Sequence, residues 1–484
     1  MEIDRNYSRP LDVHRWSNHP EVKAVSEYLW HSYFIKEFPE SGRGNRELTP
    51  KKNQFKVLLY DLYVAWLEDP NLSIGIGMSK RSFNAKSRYN ALHISFKIVE
   101  IVKIAERLGF LEIKKGSEIS VKITRILPTP KLQKYFDSTQ VSLFYFQHHK
   151  NRETILLNKK NETGKSIPIE YDDKDFAEIP KMRDELQAYN ALLSRSFIDI
   201  PTLERPVIQS EKNKHSKIYL MQNNKFVRRI FYRGDWKLGG RFHGGWWQQL
   251  PKEIRTDIYI NDQSTIEQDY SGLHLNLLYG LQKITPLKDP YSIDPILNLE
   301  PIEQRKIVKS LILLSINASS VKMAFKAFRN IQEKNSKAIH LTDDQLMLVL
   351  NEFNKKHPFI SKYLCADKGV SLMNIDGKIT AKVINHFTNK RIPVLSIHDS
   401  YIVPNNLSGE LRKVMNKAVR EALGGFEINI DQEGIGFDQI QSFRNMDRAN
   451  IGSYEFGALK NLDRTNGYME RKFEHDKWIK TIIE

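Results

Sequence analysis

Apolar residues recur every third or fourth position over residues 52–69 (KNQFKVLLYDLYVAWLED), which predicts an amphipathic helix closed by Pro70. Residues 93–109 (HISFKIVEIVKIAERLG) repeat the pattern, with Ile94, Ile98, Ile101 and Ile104 turned inward. FLEIKK, the turn KGSE and SVKITRILP then read as a β-hairpin that ends before PTPKL. From 150 the chain is polar, with little periodicity until the helix KMRDELQAYNALLSRSF. STIEQDY (264–270) alternates as a strand and turns at Ser271-Gly272 into a helix. Residues 303–320 (EQRKIVKSLILLSINASS) predict another helix. Residues 390–406 (KRIPVLSIHDSYIVPNN) set His398-Asp399-Ser400 at a tight turn between two apolar strands. No internal repeat or low-complexity tract interrupts this succession.

At 484 residues the chain exceeds one comfortable core, so two or three domains are expected. The pattern divides it into an N-terminal segment (1–48), a helix-and-hairpin module (49–140), a linker with a helical connection (141–200), a main body (201–440) and a C-terminal tail (441–484). SGRGNRELTPKK (41–52) has the Gly, Pro and Ser content of a connection. Helices followed by a hairpin form the winged-helix pattern, and GFLEIKKG with TRILPTPKL resembles the DNA-binding domains of plasmid replication initiators over residues 50–135. Lys80, Arg81, Lys86 and Arg88 precede the helix that would then read DNA, where they would meet phosphates. A purely structural helical subdomain is the alternative.

Lys and Arg outnumber Asp and Glu 74 to 58, a formal charge of +16, which favours a polyanion and nucleic acid first. The single cysteine, Cys365, cannot close an intramolecular disulfide, and no Cys/His cluster has zinc spacing. The N-terminus lacks an apolar signal core, and no run of about 18 apolar residues occurs, so a cytoplasmic protein without membrane contact is expected.

Two carboxylates draw attention. Asp269 ends a strand where the chain turns, and Asp399 sits between buried strands, an expensive place for a carboxylate that binds nothing. Paired hard oxygen donors suit Mg²⁺, with substrate phosphates completing the shell, and two ions about 4 Å apart are the arrangement for phosphoryl transfer. Mn²⁺ would substitute. Arg305 and Lys309 lie one turn apart on the 303–320 helix, with Leu313 and Asn317 continuing their stripe, so one face offers cations for a triphosphate and an apolar end for a base.

In this order and spacing the segments resemble the polymerase A family, which takes in bacterial DNA polymerase I and the phage-type single-subunit RNA polymerases. DYSGLHLNLL is similar to its motif A, RKIVKSLILLSIN to motif B and SIHDSYIV to motif C. GGRFHGGWWQQLP (239–251) resembles the segment ahead of motif A, FNKKHPFISKYL (353–364) the helix between motifs B and C, and GELRKVMNKAVREAL with FEINIDQEGIGFDQI the closing helix and strand. The resemblance spans residues 225–440 and implies an α+β right-hand polymerase: a palm with an antiparallel sheet, helical fingers and a reduced thumb, after a winged-helix-like domain. It implies that Asp269, Asp399 and the Tyr270 carbonyl hold metal, and that Arg305 and Lys309 bind triphosphate, with Lys309 as general acid. Leu313, Asn317 and His274 would face the nucleotide, Arg241 the primer-template minor groove and His398 the primer terminus.

Departures from the family pattern bear on substrate. His274 replaces the usual glutamate that blocks a ribose 2′-hydroxyl, Asn317-Ala318 replaces Tyr-Gly, and Ser400 follows Asp399 as in the RNA polymerases. The sequence therefore implies a nucleotidyltransferase without proofreading, a DNA polymerase in preference, ribonucleotide-tolerant or primase-like. Its partners would be primer-template or single-stranded DNA and dNTPs or NTPs, with accessory replication proteins left open. A basic module before a small polymerase suits a plasmid, phage or other mobile element. A single-subunit RNA polymerase or primase is one alternative, and a non-catalytic replication initiator with a polymerase-like fold is the other. WKLGGRFHGGWW (236–247) reads either as a base-stacking surface or as a buried aromatic cluster.

Overall fold

The computed structural model describes residues 7–38, 48–116, 123–209, 217–285, 287, 289–333, 336–432 and 461–483. The first half runs β1 (Ser8–Pro10), β2 (Arg15–Trp16), α1 (Pro20–Leu29), α2 (Leu48–Glu68), β3 (Ser73–Ile76), α3 (Lys97–Arg107), β4 (Leu111–Lys114), β5 (Thr124–Pro128), α4 (Pro130–Thr139) and β6 (Gln147–His148). One sheet has the order β1-β3-β5-β4, antiparallel except for β1 on β3, and β2 pairs with β6. The helix α3 and the β4–β5 hairpin stand where the periodicity places them. The hairpin tip, most of the 41–52 connection and residues 433–440 lie outside the described residues.

Helix α2 is buried on every side rather than amphipathic. Gln54, Phe55 and each residue from Val57 to Ala65 are buried, because Trp30 and Phe34 pack on Phe55 from one direction and Phe136 and Phe146 on Tyr63 from another. The N-terminal segment is therefore part of this core, not a separate unit: Val22, Leu29, Trp30, Phe34 and Phe38 share it with residues up to Phe146. Asp61, fully buried in α2, accepts from Arg9 Nη1 at 2.8 Å, the Asp12 amide at 2.9 Å and Arg15 Nε at 3.4 Å. One internal carboxylate thus fastens the entering chain to the central helix.

The second half continues with β7 (Ile155–Lys160), β8 (Ser166–Pro168), α5 (Ile179–Arg195), β9 (Ile198–Asp199), β10 (Val207–Gln209), β11 (Lys217–Tyr219), β12 (Val227–Tyr232), β13 (Asp235–Gly244), α6 (Lys252–Arg255), β14 (Tyr259–Ile260), β15 (Gln263–Tyr270) and α7 (Leu273–Leu281). It ends with α8 (Pro301–Asn317), α9 (Val321–Ile331), α10 (Asp343–Lys356), α11 (Gly369–Asn389), β16 (Leu395–Ile397), β17 (Ser400–Pro404), α12 (Ser408–Leu423), β18 (Ile430–Gln432) and α13 (Asn466–Ile483). Two sheets, β13-β12-β7-β8 and β16-β17-β15-β14-β9 with β18 on β15, share one core that runs from Ile155 to Ile428. The whole is a mixed α+β structure. The helix expected at KMRDELQAYNALLSRSF forms as α5, whose Met182, Leu186, Tyr189 and Leu193 enter this core at helical spacing, while the polar stretch ahead of it, read as a linker, contributes β7. The helix expected over 353–364 stops at Lys356, ahead of Pro358. The long helix of the region is α11, which lies so close on β13 that a Cβ at Gly377 would sit 2.2 Å from the Gly240 carbonyl.

The tryptophans resolve as the buried cluster. Trp246 and Trp247 are enclosed, and Trp236 stacks on Phe176. Arg88 is likewise not free for phosphate: it donates to Glu153 at 3.2 Å and Asp173 at 2.8 Å and covers the Tyr171 ring. Lys80, Arg81 and Lys86 remain exposed. No helix among the described residues is long and apolar enough to cross a membrane.

The described end of the tail, α13, closes a third, small apolar cluster with Phe144 and Phe197. Trp478 stacks on Phe144 of the first half, Tyr468 packs edge-on against Phe197, and Arg471 Nε donates to buried Asp199 at 2.8 Å. Burial still holds the Asp199 carboxyl above its ordinary range. Arg471→Met should therefore destabilise the protein by about 3 kcal/mol in urea unfolding at pH 7.5. The deficit should shrink toward pH 4, as Asp199 takes up a proton, and adding Asp199→Asn should restore most of it. A deficit that is the same at both pH values would contradict this account.

Candidate metal and nucleotide site

Alternation in β15 divides its side chains between two faces. Gln268 and Tyr270 turn to α12, where Gln268 Nε2 donates to the Ser408 carbonyl at 2.8 Å and the Tyr270 hydroxyl to the Met415 carbonyl at 2.7 Å. Glu267 and Asp269 therefore share the opposite face. The register sets Asp269 opposite Ser400 of β17 on one side and opposite Asp431 of β18 on the other. Asp399 lies in the two-residue loop between β16 and β17, where the Tyr270 amide donates to its carbonyl at 3.3 Å. Its neighbour His398 takes φ +56°, a left-handed conformation uncommon for residues with a side chain, although His is among those that adopt it more often. That local strain is concentrated at the turn that carries the carboxylate.

Asp269 and Asp399, chosen from sequence, are thus brought together, and two acids that sequence reasoning missed join them. Burial first, then the charges of Asp399, Glu267 and Asp431, push the Asp269 carboxyl up to about 7. Its Oδ1 is buried and accepts no hydrogen bond. Glu267 is engaged: Arg255 grips it at 3.0 and 2.8 Å, and the Ser400 hydroxyl donates to it at 2.6 Å. A buried orphan oxygen among like charges fits a divalent cation, which Asp269 and Asp399 would hold, although among the described residues no group of three or more His, Cys, Asp or Glu is placed to hold a metal ion. The signal for Asp431 was present in FEINIDQ, where Glu427, Asn429 and Asp431 alternate with apolar residues, as in a strand with one polar face.

Beside these acids opens a cleft of about 750 Å³ lined by Ser271, Asn276, Tyr291, Arg305, Lys309 and Asp431 among others. Arg305 and Lys309 reach it from consecutive turns of α8. Arg305 pairs with Asp289 at 2.7 Å, and Lys309 Nζ stands 5.9 Å from the Tyr291 ring centre. Leu313 and Asn317 continue the stripe but do not line this cleft. The Asn317 amide bonds back to the Leu313 carbonyl at 2.8 Å and packs against Gly369 at the start of α11.

Arg241 is tied inside the protein. Its guanidinium forms an ion pair with Asp376, fully buried in α11, and its Nη2 donates to His274 Nε2 at 2.9 Å. Burial, then Arg241, lower His274 to about 3, so at neutral pH the imidazole is uncharged, with Nε2 as acceptor. Burial raises Asp376 to about 6 against the pull of Arg241. His398 is exposed, its ring 5.9 Å from that of His243.

No known family pattern matches the sequence, and no curated protein matches it. Among solved structures the chain is similar to the POL domain of Pol1 from M. smegmatis in complex with DNA primer-template and dNTP, at 12% identity and a TM-score of 0.31. The match covers 57% of this chain and 57% of that one, so the chain spans little more than half of that neighbour's length.

The raised Asp269 carboxyl has a consequence for stability in the metal-free protein. Its folded-state value lies above the ordinary 3.8, so stability declines as pH rises from about 4 through about 7 and the charge is forced on. Asp269→Asn should therefore be more stable than the parent at pH 8 by on the order of 1–2 kcal/mol, discounted because solvent reaches the cleft, and no more stable below pH 4. Thermal unfolding at the two pH values checks this, and added Mg²⁺ should reverse the order at pH 8.

Proposed function

We propose that the protein is a template-directed nucleotidyltransferase with a right-hand polymerase arrangement. The β16–β17 hairpin and β15 would form its palm and α8 the triphosphate-binding face of its fingers. The observation that supports this best is the juxtaposition of Asp269 and Asp399 at one end of a sheet with a cleft that Arg305 and Lys309 line. When bound at the carboxylates, Mg²⁺ would activate a 3′-hydroxyl and neutralise the charge that develops on the leaving pyrophosphate.

The chain's own residues have separable tasks. Asp269 and Asp399 anchor the cation, and their fixed register supplies the geometry before substrate arrives. Lys309 and Arg305 hold the triphosphate, Arg305 exchanging its Asp289 partner for phosphate oxygens. Lys309 is placed to give a proton to pyrophosphate. Uncharged His274 occupies the sugar-discriminating position, held by Arg241 and Asp376. It lacks the carboxylate charge and reach of a glutamate, which favours tolerance of ribose. His398, exposed beside Asp399, would contact the primer terminus. In the first half, α3 and the β4–β5 hairpin would act as a winged-helix-like DNA-binding module, with Lys80, Arg81 and Lys86 on phosphates. That architecture suits replication of a mobile element.

The test offers primed and unprimed single-stranded DNA with Mg²⁺ and either dNTPs or NTPs. Wild type should extend a primer, and Asp399→Ala should lose on the order of a thousandfold, about 4 kcal/mol of barrier. Lys309→Ala should also be slowed, most at saturating nucleotide. Synthesis without a primer would assign a primase. Equal inactivity of wild type and Asp399→Ala on every template would leave a DNA-binding initiator.

A further inference from the structure

Resting on the polymerase reading of the Asp269 and Asp399 end, we infer that Arg152 and Arg228 form a phosphate site for the strand whose 3′ end lies at those carboxylates. Arg152 Nη1 and Arg228 Nε are buried and donate to nothing among the described residues. Arg152 stands over the Phe226 ring, 4.1 Å from its centre, which fixes the direction of its guanidinium. Burial disfavours both charges, and Arg228 further disfavours that of Arg152. The carboxylate that faces both is Asp12, which is already engaged. It accepts from His148 Nε2 at 2.8 Å and from the His14 amide at 3.0 Å, with Arg15 Nη2 3.4 Å away. Neighbouring cations withdrawn from water without a hydrogen-bonded partner are costly, and an anion between them removes the cost.

Further unmet donors gather here. His14 Nδ1 is buried without a partner, and burial, then Arg152, lower His14 to about 3, so its ring offers a hydrogen bond without adding charge. The Thr154 carbonyl accepts from the Arg229 amide at 2.9 Å, which sets Thr154 beside Arg228 in the sheet, and its buried hydroxyl also has no partner. Phosphate oxygens accept from guanidiniums in pairs and leave further lone pairs for such neutral donors. Register ties the site to the carboxylates. Arg228 of β12 is opposite His243 of β13, so the two share a face with Cβ atoms about 5 Å apart. The His243 ring is 5.9 Å from that of His398, the neighbour of Asp399. Neither arginine lines the cleft of Arg305 and Lys309, so the phosphate at Arg228 belongs to the strand and not to the incoming triphosphate.

Binding of a fluorescent primer-template to the full chain, read by anisotropy without nucleotide or metal, tests the inference apart from activity. Arg228→Gln should weaken binding about tenfold and lower the slope of log affinity against log salt by about 0.9. Arg152→Lys, which keeps the charge and loses the planar fork, should keep the slope and lose part of the affinity. A primer with one uncharged methylphosphonate linkage, moved stepwise from the 3′ end, should lose about as much at one or two linkages in wild type, and nothing further there in Arg228→Gln. Lys417→Gln removes an exposed cation of α12, which packs on the other face of β15, and should change affinity less than twofold. Equal weakening by Lys417→Gln, or no linkage that separates wild type from Arg228→Gln, would overturn the site. Inorganic phosphate that raises the thermal midpoint of wild type but not of Arg228→Gln, with a flat linkage scan, would assign a free anion and overturn the strand role. A thermal midpoint of unliganded Arg228→Gln at or above that of wild type excludes misfolding as the cause. Primer extension on the same preparations separates the two claims: Arg228-dependent binding without extension by wild type sinks the polymerase reading alone. Extension with affinity insensitive to Arg228 and Arg152 sinks this inference alone.

Discussion

Strand β15 is held between β17 and β18 in a register that sets Asp269 opposite both Ser400 and Asp431, and the candidate site is built on that register. The hydrophobic face of the strand fixes that register. Tyr270 and Gln268 are anchored to α12 by hydrogen bonds to its backbone, so a one-residue slip would bury the acids and expose the ring. Packing energy on one face thus holds an electrostatically unfavourable face in place. The excess negative charge is local in a chain that is basic overall, and Arg305 and Lys309 line the same cleft as Asp431.

A second constraint links the site to the helical layer. Asp376 is a carboxylate in the middle of α11, and Arg241 alone among charged groups pairs with it in the described structure. The close approach of Gly377 to Gly240 brings α11 near enough to β13 for that pair to form. Arg241 then has a guanidinium nitrogen left for His274 on α7. β13, α11 and α7 are therefore fixed to one another through one cation. The His274 ring is thereby oriented by the fold.

The parts of this arrangement legible in the sequence are those with local causes. Strand 264–270, its turn at Gly272, the helix over 301–317 and the hairpin around Asp399 all follow from periodicity and turn residues, and the structure forms each of them. What escaped depends on partners far along the chain. The burial of α2 comes from rings at 30, 34, 136 and 146, and nothing in its own 21 residues distinguishes it from an amphipathic helix with a generous apolar face. Arg88 looked like a phosphate ligand because its partners lie at 153 and 173. Asp431 was passed over because its importance arises from the strand it pairs with, 162 residues earlier, and a short strand advertises no such partner.

The same long-range logic explains how the two cores act together. Arg88 secures the exposed basic loop of the first half to β7, β8 and the approach to α5, through Glu153, Asp173 and the Tyr171 ring. Helix α13 fastens the opposite junction, stacking Trp478 on Phe144 while Arg471 neutralises Asp199 on the edge strand β9. Strand β9 pairs with β14, and β14 with β15, so α13 docks on the same sheet that carries Asp269. The second fastening rests on the fully buried Asp199 and the first on buried Glu153, with Arg88 and Asp173 partly exposed.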